Sequence, residues 1–183
     1  VGVYFMFFAS AAVNNCSAVK GGNVCDINQD QSDKDATWSV GPGVQNLITN
    51  SGWKDLGVPF RAPTFAYNGA VPVTRFYRKD ITGHNLVRQT DPLYKTYKAD
   101  PAHYLDEGVL FYAWPDGREP GTVPIYSADR KPLWFYKVFT DNKNVHNQYL
   151  NAADKSWQDG GILFWAYPAN WYPPINSAPT AKN

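Results

Sequence analysis

The chain carries little net charge and no cluster of one sign. Its 17 Lys and Arg residues nearly balance 16 Asp and Glu residues, which gives a formal charge of +1 at pH 7, and no run of five like charges occurs. Binding to a phosphate backbone requires a basic footprint that this chain lacks. Nucleic acid is therefore not an expected partner.

Long apolar stretches are missing as well. No segment approaches the roughly 20 apolar residues that span a bilayer, so membrane insertion is not expected. The apolar opening, residues 1–8, lacks the basic region of a signal peptide. We expect these residues to form a buried strand of a mature secreted chain whose 183 residues make a single domain.

Cysteine is scarce, with two residues in the whole chain. Cys16 and Cys25 lie nine positions apart in a stretch rich in Gly and Asn. We predict that they form a disulfide, which indicates an oxidising, extracellular compartment.

Catalytic motifs are equally scarce. The chain has three His and shows no Gly-x-Ser-x-Gly elbow, no Gly-rich phosphate loop and no lone reactive Cys. No cofactor or metal is expected, and an enzyme is the less favoured interpretation. A hydrolase stays open because a pair of carboxylates could come from distant positions in the sequence.

One oxygen-rich run invites a test for calcium. Asp26, Asn28 and Asp30 have the one, three, five spacing of a calcium loop. Position six is Gln31 rather than Gly, however, and position twelve is Thr37 rather than Glu. A solvated acidic loop over residues 26–35 is therefore the preferred interpretation.

Against these absences stands a phrase that occurs three times: an aromatic residue, Asp two positions later, then Gly, Val or Ile, Phe, Ala and Pro. Gly57 precedes Gly108 by 51 positions and Gly108 precedes Gly161 by 53. We expect a strand with a turn or bulge at each Gly and an end at each Pro. The copies are Trp53-Asp55-Gly57-Val58-Phe60-Ala62-Pro63, Tyr104-Asp106-Gly108-Val109-Phe111-Ala113-Pro115 and Trp157-Asp159-Gly161-Ile162-Phe164-Ala166-Pro168.

The spacing predicts three units, residues 1–70, 71–121 and 122–170, followed by a Pro-rich tail. A second element recurs as Val71-Pro72-Val73 and Val123-Pro124-Ile125, with residues 1–5 as a looser first copy. Residues 75–78 and 134–137 are predicted to match, after an insertion at 127–132, and the longer first unit is explained by an insertion at 16–35. Helical signals are poor outside residues 44–49. An all-β fold, specifically a β-trefoil, is the expectation, with 29 aromatic residues supplying the core, its cap and some surface positions.

The pattern Val-Pro-x-x-Arg-Phe-Tyr, a Gly-His turn and the repeated phrase resembles an uncharacterised three-repeat, β-trefoil-like family of secreted bacterial and fungal proteins, often appended to hydrolases. The resemblance is good over residues 53–170 and weak over residues 1–20. Family members usually have an aromatic and Thr-rich strand after the His, whereas Asn85 follows His84 and Asn147 follows His146 here. The resemblance implies an accessory, sugar-binding role at a cell surface.

The repeated Asp55, Asp106 and Asp159 allow two interpretations. They could be equivalent acids that bind sugar hydroxyls, or they could accept local backbone N–H groups before a turn. The aromatic residues that precede them are expected in the core or cap, and the alternative is that one of them faces a ligand.

The less regular loops are the better recognition candidates because loops on a rigid scaffold often carry binding. A His-Asn pair occurs in units two and three, and only Asn14-Asn15 stands in its place in unit one, which predicts two intact sites and one degraded site. The alternative is that each His ties down its own loop. The candidate ligand-binding residues are Asp80, His84, Asn85 and Arg88 in unit two and Trp134, Asp141, Asn142, His146, Asn147 and Tyr149 in unit three.

The favoured function is a secreted lectin or carbohydrate-binding module that recognises glycans or cell-surface polysaccharide through repeated loops. One alternative is a trefoil that inhibits proteases through the disulfide-tied segment 16–35. The other is a polysaccharide or cell-wall hydrolase.

Overall fold

The computed structural model describes residues 16–40, 51–131 and 136–174. The predicted strand at residues 1–8, the possible turn at 44–49, Asn14-Asn15 and Trp134 lie outside the described residues. The described strands are β1 Cys16–Val19, β2 Gly22–Gln31, β3 Ala36–Ser39, β4 Lys54–Asp55, β5 Phe60–Pro63, β6 Val71–Arg78, β7 Gly83–Arg88, β8 Tyr104–Ala113, β9 Val123–Arg130, β10 Lys137–Thr140 and β11 Trp157–Pro168; the helices are α1 Pro92–Ala99 and α2 Lys143–Leu150.

Strands dominate the described residues and pair in antiparallel fashion, which confirms the all-β class. Unit two shows the pattern: β6 and β7 form a hairpin, α1 follows, and β8 returns along the other side of β6. Unit three repeats it with β9, β10, α2 and β11. In unit one, β2 pairs with β3 on one side and with β4 and β5 on the other. The β-trefoil itself stays a prediction.

Both helices lie outside residues 44–49, the one segment with helical signals, and α2 occupies the predicted loop of unit three, so these expectations were wrong. Asp91 caps α1 by accepting the Leu93 N–H at 2.9 Å, and Pro92 occupies the start of the helix. Asn142 caps α2 by accepting the Asn144 N–H at 2.9 Å. A capping residue followed by Pro is a helix start signal, but the helices are short and mostly polar, so periodicity did not reveal them. Within the described residues, no helix is long and apolar enough to cross a membrane.

The core is arranged around a threefold set of phenylalanines. The ring centroids of Phe60, Phe111 and Phe164 are 5.4, 5.3 and 5.5 Å apart, and each pair meets edge to face at 67° to 71°. Each copy of the phrase therefore contributes one ring to a shared central cluster. Aromatic rings favour this edge-to-face geometry, which stabilises the core beyond the contribution of the buried apolar area.

The core is built from layers of three residues, one from each unit, and the strand register identifies the members of each layer. Opposite the three rings lie Ile27, Val73 and Ile125, each fully buried. The first copy of this strand is therefore β2, and the assignment to residues 1–5 was wrong. A further layer contains Trp38, Leu86 and Phe139, and the last contains Ala62, Ala113 and Ala166.

The same register corrects the predicted insertions. Phe76 lies opposite Asp106 and Ala128 lies opposite Asp159, so β9 continues where an insertion at 127–132 was expected. Residues 134–137 are not the counterpart of 75–78. Segment 16–35 is not an insertion either, because it contains the central strand of unit one.

The acidic run at residues 26–35 is largely part of β2 and is not a solvated loop. Asn28 and Asp30 are fully buried, and β2 pairs with strands along both of its edges. Among the described residues, no group of three or more His, Cys, Asp or Glu is arranged to hold a metal ion.

Each repeated Asp serves its own strand, as the local interpretation predicted. Asp55, Asp106 and Asp159 accept the N–H of the glycine two positions later at 2.6, 2.8 and 2.7 Å. Those glycines have φ of +86°, +89° and +77°, which favours Gly. In units two and three the strand register shifts there, which confirms the bulge.

Two polar side chains join neighbouring units at equivalent positions. Arg75 Nη1 donates to the Trp38 carbonyl at 2.7 Å, which links unit two to unit one. Gln29 Oε1 accepts the Phe139 N–H at 2.9 Å, which links unit one to unit three. Inward-facing polar groups thus satisfy backbone groups across the unit boundaries.

The predicted disulfide between Cys16 and Cys25 is confirmed. The two residues are direct partners across the β1–β2 hairpin. Replacing both with Ser should lower the free energy of unfolding by about 2 to 3 kcal/mol, the chain-entropy value for so short a loop. Urea unfolding of the variant and the oxidised parent measures this, and an unchanged midpoint would contradict it.

Candidate ligand cleft between units one and two

An open cleft of about 400 Å³ lies where unit one meets unit two. We call it the His84 cleft. Trp53 of unit one and Tyr77 of unit two supply its aromatic walls. Its polar lining comes from Ser32, Asp33, Lys34 and Asp35 in the β2–β3 turn and from Thr82 and His84 at the start of β7.

Local bonds shape both turns that border the cleft. Ser32 Oγ accepts the Asp35 N–H at 3.1 Å and the Lys34 N–H at 3.4 Å, a side-chain turn that fixes the segment. Thr82 has a φ of +52°, uncommon outside glycine and a form of backbone strain that concentrates at functional sites. Tyr77 and His84 are direct partners across β6 and β7, and their ring centroids lie 5.0 Å apart.

Asp35 holds His84 in one orientation. Its Oδ2 lies 2.5 Å from His84 Nδ1, and its Oδ1 accepts the His84 backbone N–H at 2.8 Å. The Asp35 side chain is 5% exposed. Because the carboxylate only accepts, Nδ1 carries the proton in this pair and Nε2 faces the other way.

A second carboxylate lies on the far side of the imidazole. Glu107 Oε2 is 3.5 Å from His84 Nε2 and accepts the Arg75 Nε–H at 2.7 Å. Asp35, His84, Glu107 and Arg75 therefore form one polar chain across the boundary between units. The chain fixes the cleft wall before any ligand arrives.

Sequence comparison assigns the chain to a family. A family described as "Domain of unknown function (DUF5648)" matches residues 40–167. The chain belongs to this family. The description assigns no activity. No curated protein and no solved structure matches the chain.

The DUF5648 match includes Trp53, Tyr77, His84 and Glu107 but stops short of Asp35. The His84 cleft thus combines residues inside the family region with a turn that precedes it.

Of the four candidate residues in unit two, His84 alone lines the cleft. Asp80 forms a two-bonded pair with Arg78 at 2.8 and 3.0 Å, and this bond lowers the pKa of the Asp80 carboxyl. Asn85 is buried and donates to the Tyr97 hydroxyl at 3.3 Å. Arg88 lies 3.9 Å from Asp91 at the start of α1. These three side chains have local structural partners.

The candidates of unit three surround α2. Asn142 caps the helix and Asn147 lies on its exposed side. His146 is buried, with Nε2 3.0 Å from the Ser127 carbonyl, as expected of a His that ties down its own segment. Tyr149 packs against Trp157 at 4.8 Å, and burial raises the pKa of its hydroxyl. Asp141 lines a different cleft, described below.

The predicted equivalence of the two His-Asn pairs was wrong. His84 lies on strand β7, whereas His146 lies on helix α2. Strand pairing makes Lys137 the counterpart of His84, since Lys137 faces Asp129 as His84 faces Tyr77. Lys137 Nζ donates to Asp129 at 2.7 Å. The two pairs therefore do not form two like sites.

Sequence reasoning missed most of the cleft. Trp53 was assigned to the core or cap, Asp35 was considered only as part of the acidic run at residues 26–35, and Tyr77 and Glu107 were not singled out. The repeated phrase does mark Trp53. The pairing of Asp35 with His84, however, joins positions 49 apart through folding and leaves no local signal.

Proposed function

We propose that this DUF5648 protein binds glycans in the His84 cleft as a secreted carbohydrate-binding protein. The observation that carries the proposal is the placement of Trp53 and Tyr77 beside a fixed row of polar groups. The threefold core serves as the rigid support, and the proposal does not need the trefoil assignment.

The chemistry of the walls suits a sugar ring. Aromatic faces stack on the C–H face of a pyranose, while carboxylate, hydroxyl and ammonium groups bond its hydroxyls. Asp33 and Lys34 are exposed at the rim and offer an acceptor and a donor. Because Asp35 and His84 already hold each other in place, binding costs little additional side-chain entropy.

The same contacts favour binding over bond cleavage. Asp35 uses both oxygens on His84, and Glu107 is paired with Arg75. Glycoside hydrolysis needs one carboxyl group that gives a proton and a second that attacks or activates water. Two carboxylates already engaged by cations and N–H groups support recognition better than catalysis.

The protease-inhibitor alternative loses its main support. Segment 16–35 was its expected reactive loop, but this segment forms the β1–β2 hairpin and the central strand of unit one. An inhibitory loop has to project from its scaffold, whereas most of β2 is buried. Secretion fits the disulfide and remains part of our proposal.

Trp53→Ala should weaken glycan binding at least tenfold because an aromatic ring at the centre of a site carries a large share of the affinity. A glycan array should first identify a ligand, and calorimetric titration should then give the affinities and a stoichiometry of one. Tyr172→Ala is the matched control, since Tyr172 is 68% exposed and lies outside the cleft lining.

Two results would refute the proposal. One is the absence of binding on a broad array and on whole cell walls. The other is parental affinity in the folded Trp53→Ala variant.

A further inference from the structure

A second cleft, of about 290 Å³, lies where unit one meets unit three. We call it the Asp141 cleft. One wall is the β4–β5 connection with Leu56, Val58 and Pro59, and the other is helix α2 with Val145 and Tyr149. These five side chains are half-buried, so an apolar surface stays accessible in the cleft.

One residue of the first wall changes in character between the repeats. Strand register places Glu107 and Gly160 at the positions equivalent to Leu56. Glu107 is engaged by Arg75, and Gly160 packs against Asp129 so closely that a Cβ would lie 2.5 Å from its carboxylate. An apolar side chain at the Leu56 position is therefore particular to unit one, whereas Val58 and Pro59 are matched by apolar residues in units two and three.

The acceptors inside the cleft are mostly engaged by the protein. Gln29 Oε1 accepts the Trp38 indole N–H and the Phe139 N–H, both at 2.9 Å. Thr140 Oγ1 accepts the Asn142 N–H at 3.0 Å, and Asn142 Oδ1 caps α2. These groups fix the cleft and leave little capacity for a ligand.

Asp141 is the exception. Its Oδ2 accepts the Ala169 N–H at 3.2 Å, and within the described parts of the chain no cationic side chain lies within ion-pair distance of it. Asp141 is half-buried, so an ammonium group that reached its carboxylate would form a charge-assisted hydrogen bond.

We propose that the Asp141 cleft binds a small amphipathic amine, with its apolar body between Leu56, Val58 and Val145 and its ammonium group on Asp141. The volume is close to the lower end of small-molecule sites, which are mostly apolar with few polar anchors. Charge complementarity selects an amine over an alcohol or an acid of the same shape.

The protonation of Asp141 supports this choice. Burial raises the pKa of the Asp141 carboxyl above its ordinary value. An ammonium group nearby favours the ionised form, so amine binding and proton release are coupled. Affinity for the amine should fall as the pH drops through the pKa of Asp141, since the protonated carboxyl offers no charge.

The test uses phenethylamine and 2-phenylethanol, which share a body and differ in the ammonium group. We expect calorimetric titration at pH 7 to show the amine bound at least tenfold more tightly than the alcohol. Asp141→Asn, which keeps an acceptor for Ala169, should remove that preference and leave the affinity for the alcohol within twofold. Val145→Trp should fill the cleft and abolish binding of both probes.

Trp53→Ala is the matched control and should bind phenethylamine as the parent does, which separates this cleft from the His84 cleft. Thermal unfolding of each variant establishes that it is folded. The proposal is overturned if the parent binds neither probe at millimolar concentration, if Asp141→Asn keeps the preference for the amine, or if folded Val145→Trp still binds it.

Discussion

Replacing Phe111 with Ala should lower the free energy of unfolding by about 4 kcal/mol, within the 3 to 5 kcal/mol typical of removing a buried phenylalanine. Phe111 is fully buried and meets both Phe60 and Phe164 edge to face. The substitution loses the transfer energy of one ring and two ring contacts, and it leaves a cavity beside Phe60 and Phe164. Equilibrium unfolding in urea, followed by tryptophan fluorescence, measures the loss.

Val109→Ala is the matched control because Val109 lies in the same strand and is 45% exposed. This substitution should lower the free energy of unfolding far less. Because the three rings have similar surroundings, Phe164→Ala and Phe111→Ala should lower the free energy of unfolding by similar amounts. A loss below about 1 kcal/mol for Phe111→Ala would mean that the three rings do not share one core.

Arg61→Met should lower the free energy of unfolding by about 3 to 5 kcal/mol, the range for removing one partner of a buried ion pair. Arg61 is 1% exposed and its Nε lies 2.8 Å from Asp26 Oδ1. Its guanidinium also donates to the Trp171 carbonyl at 2.5 Å and to Ser17 Oγ at 3.1 Å. Methionine keeps much of the apolar stem but leaves the carboxylate of Asp26 without this cation.

The control is Arg118→Met, which removes an ion pair with Asp116 in which the arginine side chain is 90% exposed. Such a surface change should stay within about 0.5 kcal/mol. Thermal and urea unfolding should rank the two variants clearly. Equal stability of Arg61→Met and Arg118→Met would show that the Arg61 pair contributes no more than a surface contact.

Features set by neighbouring residues were predictable from the sequence. An Asp placed two positions before a Gly specifies its own bulge, and the alternation of Phe and Ala after that Gly specifies a strand that faces a core. Two cysteines in one hairpin specify a disulfide. In each case the physical cause lies within ten residues of the position it explains.

Features set by long-range packing were not predictable. Strand β2 contains Asp26, Asn28 and Asp30. Their polar side chains predict a solvated loop from sequence alone, whereas the folded chain buries them. The pairing of Asp35 with His84, and therefore the cleft, depends on how unit one meets unit two. The two helices were missed for a different reason, since their capping signals at Asp91 and Asn142 are present but their apolar periodicity is weak.

The layers of three residues have a consequence for how such a chain could be assembled. Each unit contributes one residue to each layer, so a unit by itself leaves its phenylalanine uncovered on two sides. Three separate peptides carrying the same unit would offer the same rings to a shared centre. In thermodynamic terms the three units behave as a covalently linked trimer of similar parts, whose connecting segments replace the concentration dependence of a trimer with a fixed local concentration.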